Sequence, residues 1–344
     1  MATGKRRREP DWADGKDKDL LRLRFCDLKL TLEGTPVAER IEALYQQLER
    51  RGVRFRPHLW LSTEWFSPFD VPGIAVPFYM AHPRLARLER RMMLEVEGGT
   101  REHCMRILRH EAGHALDTAY RLRRRKRFRE LFGKGTTPYP EVYSPRPYSR
   151  RFVQHLEGWY AQAHPVEDFA ETFAVWLTPG LDWRERYQGW KALQKLEYVD
   201  ELMRSLAGQP PVHQPGYRVA DLDCLQVKLK TYYARKRKLF EDSFPDFYDK
   251  DLQQLFAAGA DTTGRIQASV YLRHHRRQLM EAVCQWTNER KYRVNRLLTR
   301  LIDRCDRLNL YIKAYDPRQN LQVSAYITTL VMNHLFTGKF KRTK

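Results

Sequence analysis

The residues Arg109-His110-Glu111-Ala112-Gly113-His114-Ala115-Leu116-Asp117 contain the pattern His-Glu-x-x-His. On a helix this spacing sets both imidazoles one turn apart on the same face. Two neutral imidazoles so placed can hold a zinc ion, and Glu111 lies beside them where it can take a proton from water at the metal. With His110 at zero and a step of roughly 100° per residue, His114 falls at about 40° and Asp117 at about −20°. Met105, Leu108, Ala112, Ala115, Leu116 and Ala119 gather on the opposite side. The expected helix therefore has an apolar back and a metal-capable front. The same five letters also arise by chance on charged helices, where they mark only a solvated face.

A zinc site that keeps one position open for water needs a third protein ligand. The segment His164-Pro165-Val166-Glu167-Asp168-Phe169-Ala170-Glu171-Thr172-Phe173-Ala174-Val175-Trp176-Leu177 offers two. Pro165 suits the first turn of a helix and Pro179-Gly180 its end. Glu167 and Glu171 then share a face, while Phe169, Thr172, Phe173 and Trp176 cluster on the other. Like charges at this spacing repel mildly, and a cation on that face would offset the cost. Spacing alone leaves both glutamates open as the third ligand, and it gives His164 no role.

The elements that must carry these two helices are legible in outline. Leu28 to Leu32 alternates as a strand does, and Thr35-Pro36 opens a helix that Gly52 closes after Arg51. Val53 to Ser62 reads as a strand with a bulge or edge at Pro57, and Gly73 to Val76 with Phe78 to Met80 as a second. An exposed edge of such a sheet is where an extended peptide adds as a further strand. Pro83 to Met93 reads as a charged helix, and Thr100 caps the helix of His110. Leu122 to Phe132 reads as a basic helix. Thr136 to Pro147, with four prolines, cannot be regular structure; together with Tyr148 to Gly158 it is a candidate cleft wall or lid. Asp182 to Leu206 continues as helix, and Gly208-Gln209-Pro210-Pro211 with Gln214-Pro215-Gly216 marks a domain boundary.

Taken in combination, His110-Glu111-x-x-His114-Ala-Leu-Asp117, Tyr160 and Glu167-Asp-Phe-Ala-Glu171 resemble the gluzincin metallopeptidases of lethal-factor type. More closely, Tyr160-Ala161-x-x-His164-Pro165-x-Glu167-Asp168-x-Ala170-Glu171-Thr172 is similar to a bacterial family of zinc-binding metallopeptidases. The resemblance covers roughly the first 200 residues. It implies His110, His114 and Glu167 as zinc ligands, with Glu171 the alternative third ligand, and Glu111 as general base. It also implies that Tyr160 faces the metal, where it would donate a hydrogen bond to a developing oxyanion. Glu171 and Asp117 are candidates to orient the imidazoles from behind. The chain departs from many such proteins in lacking a Cys-rich zinc ribbon, and its helical C-terminal part matches nothing in the pattern.

The expected fold class is therefore α+β: a zincin-like catalytic domain, with a small sheet and active-site helices, then a mainly helical extension. The expected division is a disordered basic leader at 1–19, the metallopeptidase domain at 20–211 and a basic helical domain at 212–344. In that last part, Cys224 to Phe244, Asp251 to Ala258, Ile266 to Asn288, Lys291 to Leu308 and Leu321 to Phe336 read as helices. His274-His275 are adjacent, diverge on a helix and make a poor metal pair.

Composition narrows the class. An apolar fraction of 42% excludes a wholly disordered chain. No apolar run approaches the ~18 residues of a membrane span. Five scattered cysteines form no Cys-x-x-Cys pair and read as reduced thiols of a cytoplasmic protein. The net charge is +20, of which residues 212–344 carry +12, with 25 Lys/Arg against 13 Asp/Glu. Such a field attracts polyanions or nucleic acid. The expectation is a zinc-dependent endopeptidase acting on protein or peptide substrates. The alternative is a basic helical adaptor whose zinc site is structural, or which recruits the protease to a polyanion.

Overall fold

The computed structural model describes residues 10–140, 143, 145–240, 249–258, 264–313 and 317–337. So far as they are described, residues 1–92, 96–140 and 145–234 form one compact unit and residues 93–95, 141–144 and 235–344 a second. The architecture is mixed and mostly helical, with short strands.

In the first unit a short helix α1 (Asp17–Leu20) precedes α2 (Pro36–Arg50). Thr35 caps α2 by accepting from the Ala38 amide at 3.3 Å, and α2 buries Val37, Ile41, Leu44 and Leu48 at helical spacing. Strands β1 (His58–Ser62) and β2 (Gly73–Pro77) pair in parallel, with Trp60 opposite Ala75. Every residue of β2 is buried, as expected of a continuous apolar run with no polar face. The connection between them turns back so that the Phe66 carbonyl accepts from the Ala75 amide at 2.8 Å, flanking β2 on its other side.

Helix α3 (Pro83–Met93) leads to α4 (Arg101–Tyr120), which Thr100 caps by accepting from the His103 amide at 3.2 Å. After α5 (Lys126–Leu131) and an irregular stretch come α6 (Pro165–Leu177), α7 (Trp183–Arg186) and α8 (Ala192–Leu206). α6 packs between α4 and α8 and is buried from Val166 to Leu177. Phe169 meets Phe128 and Phe132 with ring centroids 5.0 and 5.5 Å apart. Across the α6–α8 contact, Lys195 reaches Asp168 at 2.5 Å. The unit ends within α9 (Leu229–Lys238), of which Tyr233 is fully buried.

Several expected elements are revised. Leu28 to Leu32 is no strand: Phe25–Leu28 is a 3-10 turn, ended by Lys29 in the left-handed region. Phe78–Met80 is likewise a 3-10 turn. The basic helix from Leu122 is broken, because Arg125 is extended between a 3-10 turn (Leu122–Arg124) and α5. Residues 10–19 of the expected leader pack in: Trp12 donates to the Leu28 carbonyl at 3.2 Å, and Asp17 pairs with Arg84 at 2.6 Å; residues 1–9 lie outside the described residues. The segment after residue 211 also belongs to this unit. Trp60 donates to the Val219 carbonyl at 2.9 Å, Ser62 to that of Ala220 at 2.8 Å, and the Phe25 amide to that of Val227 at 3.1 Å.

The second unit builds its own core. Helices α10 (Asp249–Leu255), α11 (Ala268–Thr287), α12 (Lys291–Arg307) and α13 (Pro317–Thr337) surround Leu272, Leu279, Val283, Leu297, Leu301, Ile327 and Leu330. An antiparallel sheet joins them in the order β3 (Ala257–Ala258), β5 (Leu310–Lys313), β4 (Arg265–Gln267). At two to four residues each, these strands are too short for periodicity to reveal. Part of the unit's basic charge is engaged within it. Arg304 pairs with Asp249, Arg293 with Glu289, Arg273 with Asp306, and Arg276 bonds Asn295 and Thr299. Among the described residues no helix is long and apolar enough to cross a membrane.

Candidate metal centre

Gly113 brings the two helices of the site together. A Cβ built on it would lie 2.9 Å from the Ala170 Cα and 3.2 Å from the Ala170 carbonyl oxygen, so only a glycine admits this crossing. Gly113 sits between His110 and His114, and Ala170 between Glu167 and Glu171. The closest approach of the two backbones thus falls where both helices carry their polar faces.

The outcome is a triangle of lone-pair atoms. His110 Nε2 and His114 Nε2 are 3.1 Å apart, and Glu167 Oε2 is 3.1 Å from each. Tetrahedral zinc ligands at about 2.0–2.1 Å from the ion lie roughly 3.3–3.4 Å from one another. Two imidazole nitrogens and one carboxylate oxygen are also a donor set that zinc accepts. With His110 donating its Nδ1 proton to Glu171 Oε1 at 2.8 Å, the neutral ring has Nε2 as an acceptor facing the triangle. Three acceptors at this separation repel unless a cation, proton or metal, lies among them. The pKa directions carry the same message. Burial alone would raise the Glu167 carboxyl, but the two imidazoles hold it well below the usual carboxylate range. Burial alone would lower His110, but Glu167 and Glu171 lift it to about 10. A metal binding here competes with that proton.

The two glutamates are not equivalent. Both oxygens of Glu171 are committed, Oε1 to His110 and Oε2 to the Leu156 amide at 2.8 Å. Glu167 presents Oε2 to the histidines, and its Oε1 accepts from the Tyr139 hydroxyl at 2.6 Å.

A pocket of about 220 Å³ opens onto the triangle, walled by Phe66, Phe69, Glu111, Arg123, Tyr139 and Tyr160 among others. Glu111 is buried, its Oε2 has no hydrogen-bond partner among the described residues, and burial pushes its pKa up. An orphaned, proton-seeking carboxylate beside three converging ligand atoms is what a metal with its water would satisfy. The Tyr160 ring lies 5.6 Å from that of His110, and its hydroxyl has no protein partner among the described residues. Burial, and then the nearby Glu167, raise its pKa. Asp117 is turned toward Arg123 rather than His114: Oδ1 accepts from the Arg123 amide at 2.7 Å, and Oδ2 is 2.7 Å from Arg123 Nε.

The site therefore gathers His110, His114, Glu167, Glu111, Tyr160 and Glu171, and gives Asp117 another partner. It adds two pocket residues that sequence reasoning passed over. Arg123 stands in the basic run read only as helix, and its guanidinium sits 4.5 Å over the Phe69 ring. Tyr139 belonged only to a proline-rich stretch 28 residues before Glu167, and no spacing rule connects the two.

A family model described as "Putative zinc-binding metallo-peptidase" matches residues 90–187. The matched span is under a third of the chain, and it contains α4, α6, both tyrosines and all the triangle atoms. No curated protein and no solved structure matches the chain. The match supports a peptide-hydrolysing, zinc-binding role for this span, and the geometry supplies donors that could hold the ion.

Proposed function

We propose that this chain is a zinc-dependent endopeptidase of the gluzincin type, built on a zincin-like first unit, that hydrolyses peptide bonds with Glu111 as general base. The observation that carries the reading is the orphaned Glu111 carboxylate facing the same pocket as the converging His110, His114 and Glu167. His110 and His114 are the nitrogen ligands and Glu167 the carboxylate ligand. Glu171 orients His110 through the Nδ1 proton, which favours the tautomer whose Nε2 is free to bind. When bound, zinc supplies Lewis acidity and lowers the pKa of its water toward ~7.

The chain's own residues do the rest. Glu111, raised by burial, accepts the proton of the attacking water and returns it to the leaving amine. Tyr160 offers its unpartnered hydroxyl to the oxygen that becomes negative during attack. Phe66 and Phe69 give the pocket an aromatic wall beside the reacting bond. A purely structural zinc site would close with a fourth protein ligand and would leave Glu111 without a task. Five free cysteines suit the reducing cytoplasm.

The test is metal analysis with a peptide-library digest of wild type and Glu111→Gln. The variant should keep about one zinc per chain and its fold while losing hydrolysis, because the amide is nearly isosteric and cannot take the proton. A variant that turns over peptides like wild type overturns the mechanism.

A further inference from the structure

We propose that Tyr139, held in place by the ring of His164, is a positioning residue that keeps Glu167 monodentate toward the metal. The inference rests on the reading of His110, His114 and Glu167 as a metal centre. The two oxygens of Glu167 are divided: Oε2 faces both histidine Nε2 atoms at 3.1 Å, and Oε1 is taken by the Tyr139 hydroxyl at 2.6 Å. A hydroxyl donating to a carboxylate at that length is a strong, charge-assisted bond. It fixes the rotation of the carboxylate and keeps its second oxygen from turning inward.

His164 is the platform. Its Nδ1 accepts from the Val166 amide at 3.3 Å and so caps α6, the helix that carries Glu167. Because Nδ1 is the acceptor, Nε2 carries the proton, which it donates to the Thr137 carbonyl at 2.6 Å. The imidazole face lies flat against the Tyr139 ring, with centroids 4.0 Å apart and an interplanar angle of 11°. One side chain thus ends a helix, anchors the chain two residues before Tyr139 and supports the tyrosine ring.

The local sequence favours the same arrangement. Thr137-Pro138-Tyr139-Pro140 sets a proline on each side of the tyrosine. Prolines fix their own φ and push the residue before them into extended backbone. Ordering Tyr139 over the pocket therefore costs less backbone entropy than it would in a flexible loop. Half-exposed and with no core to fill, Tyr139 gains little from burial at this place; what it gains is the carboxylate.

The experiment strips the full-length chain of metal and reloads it with cobalt(II), whose d–d absorption weakens as coordination rises from four to five or six. Tyr139→Phe keeps the ring stack and removes only the hydroxyl. It should weaken that absorption and lower zinc affinity, read against a competing chelator, by roughly 10–100-fold, as losses behind a metal ligand do. The melting temperature of the metal-free chain should fall by no more than a few degrees, leaving the chain folded at the temperature of the titration. His164→Asn retains a side chain able to cap α6 while removing the stack and the bond to Thr137, and should shift the spectrum in the same direction. A Tyr139→Phe chain with wild-type spectrum and affinity overturns the proposal. A wild-type chain that takes up no cobalt overturns it together with the metal reading. A wild type that shows the tyrosine effect but hydrolyses no peptide keeps this proposal and removes the peptidase reading alone.

Discussion

Tyr160 and Tyr139 line the same pocket, and their hydroxyls are in opposite conditions. Tyr139 is bonded to a carboxylate, whereas Tyr160 has no protein partner among the described residues while its ring lies against His110. A donor with no protein partner before reaction is well suited to a charge that forms only during reaction. Tyr160→Phe should therefore keep zinc content, melting temperature and substrate affinity within a few-fold, and lose roughly 10²–10³ in kcat. Steady-state kinetics beside metal analysis decide it, and a fully active or unfolded variant would make Tyr160 a structural side chain.

Between elements, the controlling contact is α4 against α6 at Gly113. Alanine in place of a mid-helix glycine gains about 1 kcal/mol from helix propensity. Here the new methyl would meet Ala170 backbone at 2.9 Å, and backbone cannot swing aside as a flexible side chain can. Gly113→Ala should destabilise by about 1–3 kcal/mol through overpacking, and should weaken zinc binding by moving His110 and His114 away from Glu167. A variant of raised stability and wild-type zinc affinity would mean that the crossing is looser than described.

The loop that packs on α4 gives a pH signature. His155 is buried, donates to the Arg106 carbonyl at 2.9 Å, and is pushed down by burial from 6.5 to about 4. Its folded pKa lies below the unfolded one, so the unfolded chain takes up the proton first. The stability it contributes is present above about pH 6.5 and is lost as pH falls toward about 4, at about 1.4 kcal/mol per unit. Urea unfolding of metal-free wild type and His155→Gln should diverge in that window by up to about 3 kcal/mol. Parallel pH curves for the two would remove His155 as the cause.

At the scale of the whole molecule, chain order and compact units do not coincide at the proline-rich boundary. Residues 212–234 follow it, yet Val219, Ala220 and Val227 accept hydrogen bonds from Trp60, Ser62 and Phe25, and Leu229 and Tyr233 are fully buried. A chain ended at residue 240 should therefore fold cooperatively and bind zinc. One ended at 211 should lose several kcal/mol, through exposed Leu229 and Tyr233 sites at about 1.5–3 kcal/mol for each buried side chain and through unpaired donors around β1. Thermal melts and zinc content of the two truncations test this, and equal stability would move the boundary back to residue 211.

The helices that bear the candidate ligands, their starts at Thr100 and Pro165 and the faces they present were readable from the sequence, because those features depend on neighbours three or four residues away. The same local rule found His110, Glu111, His114, Glu167 and Glu171 and could not rank the two glutamates, since both lie on one face. Tertiary structure separates their surroundings: Glu167 lies among the imidazoles and Glu171 behind one of them, across the Gly113–Ala170 crossing. It also turns Asp117 to Arg123, lays Tyr139 on Glu167 and gives His164 its place. These contacts join residues whose separation in the chain carries no period. They follow from how packed helices meet and where an irregular, proline-stiffened segment returns to the pocket.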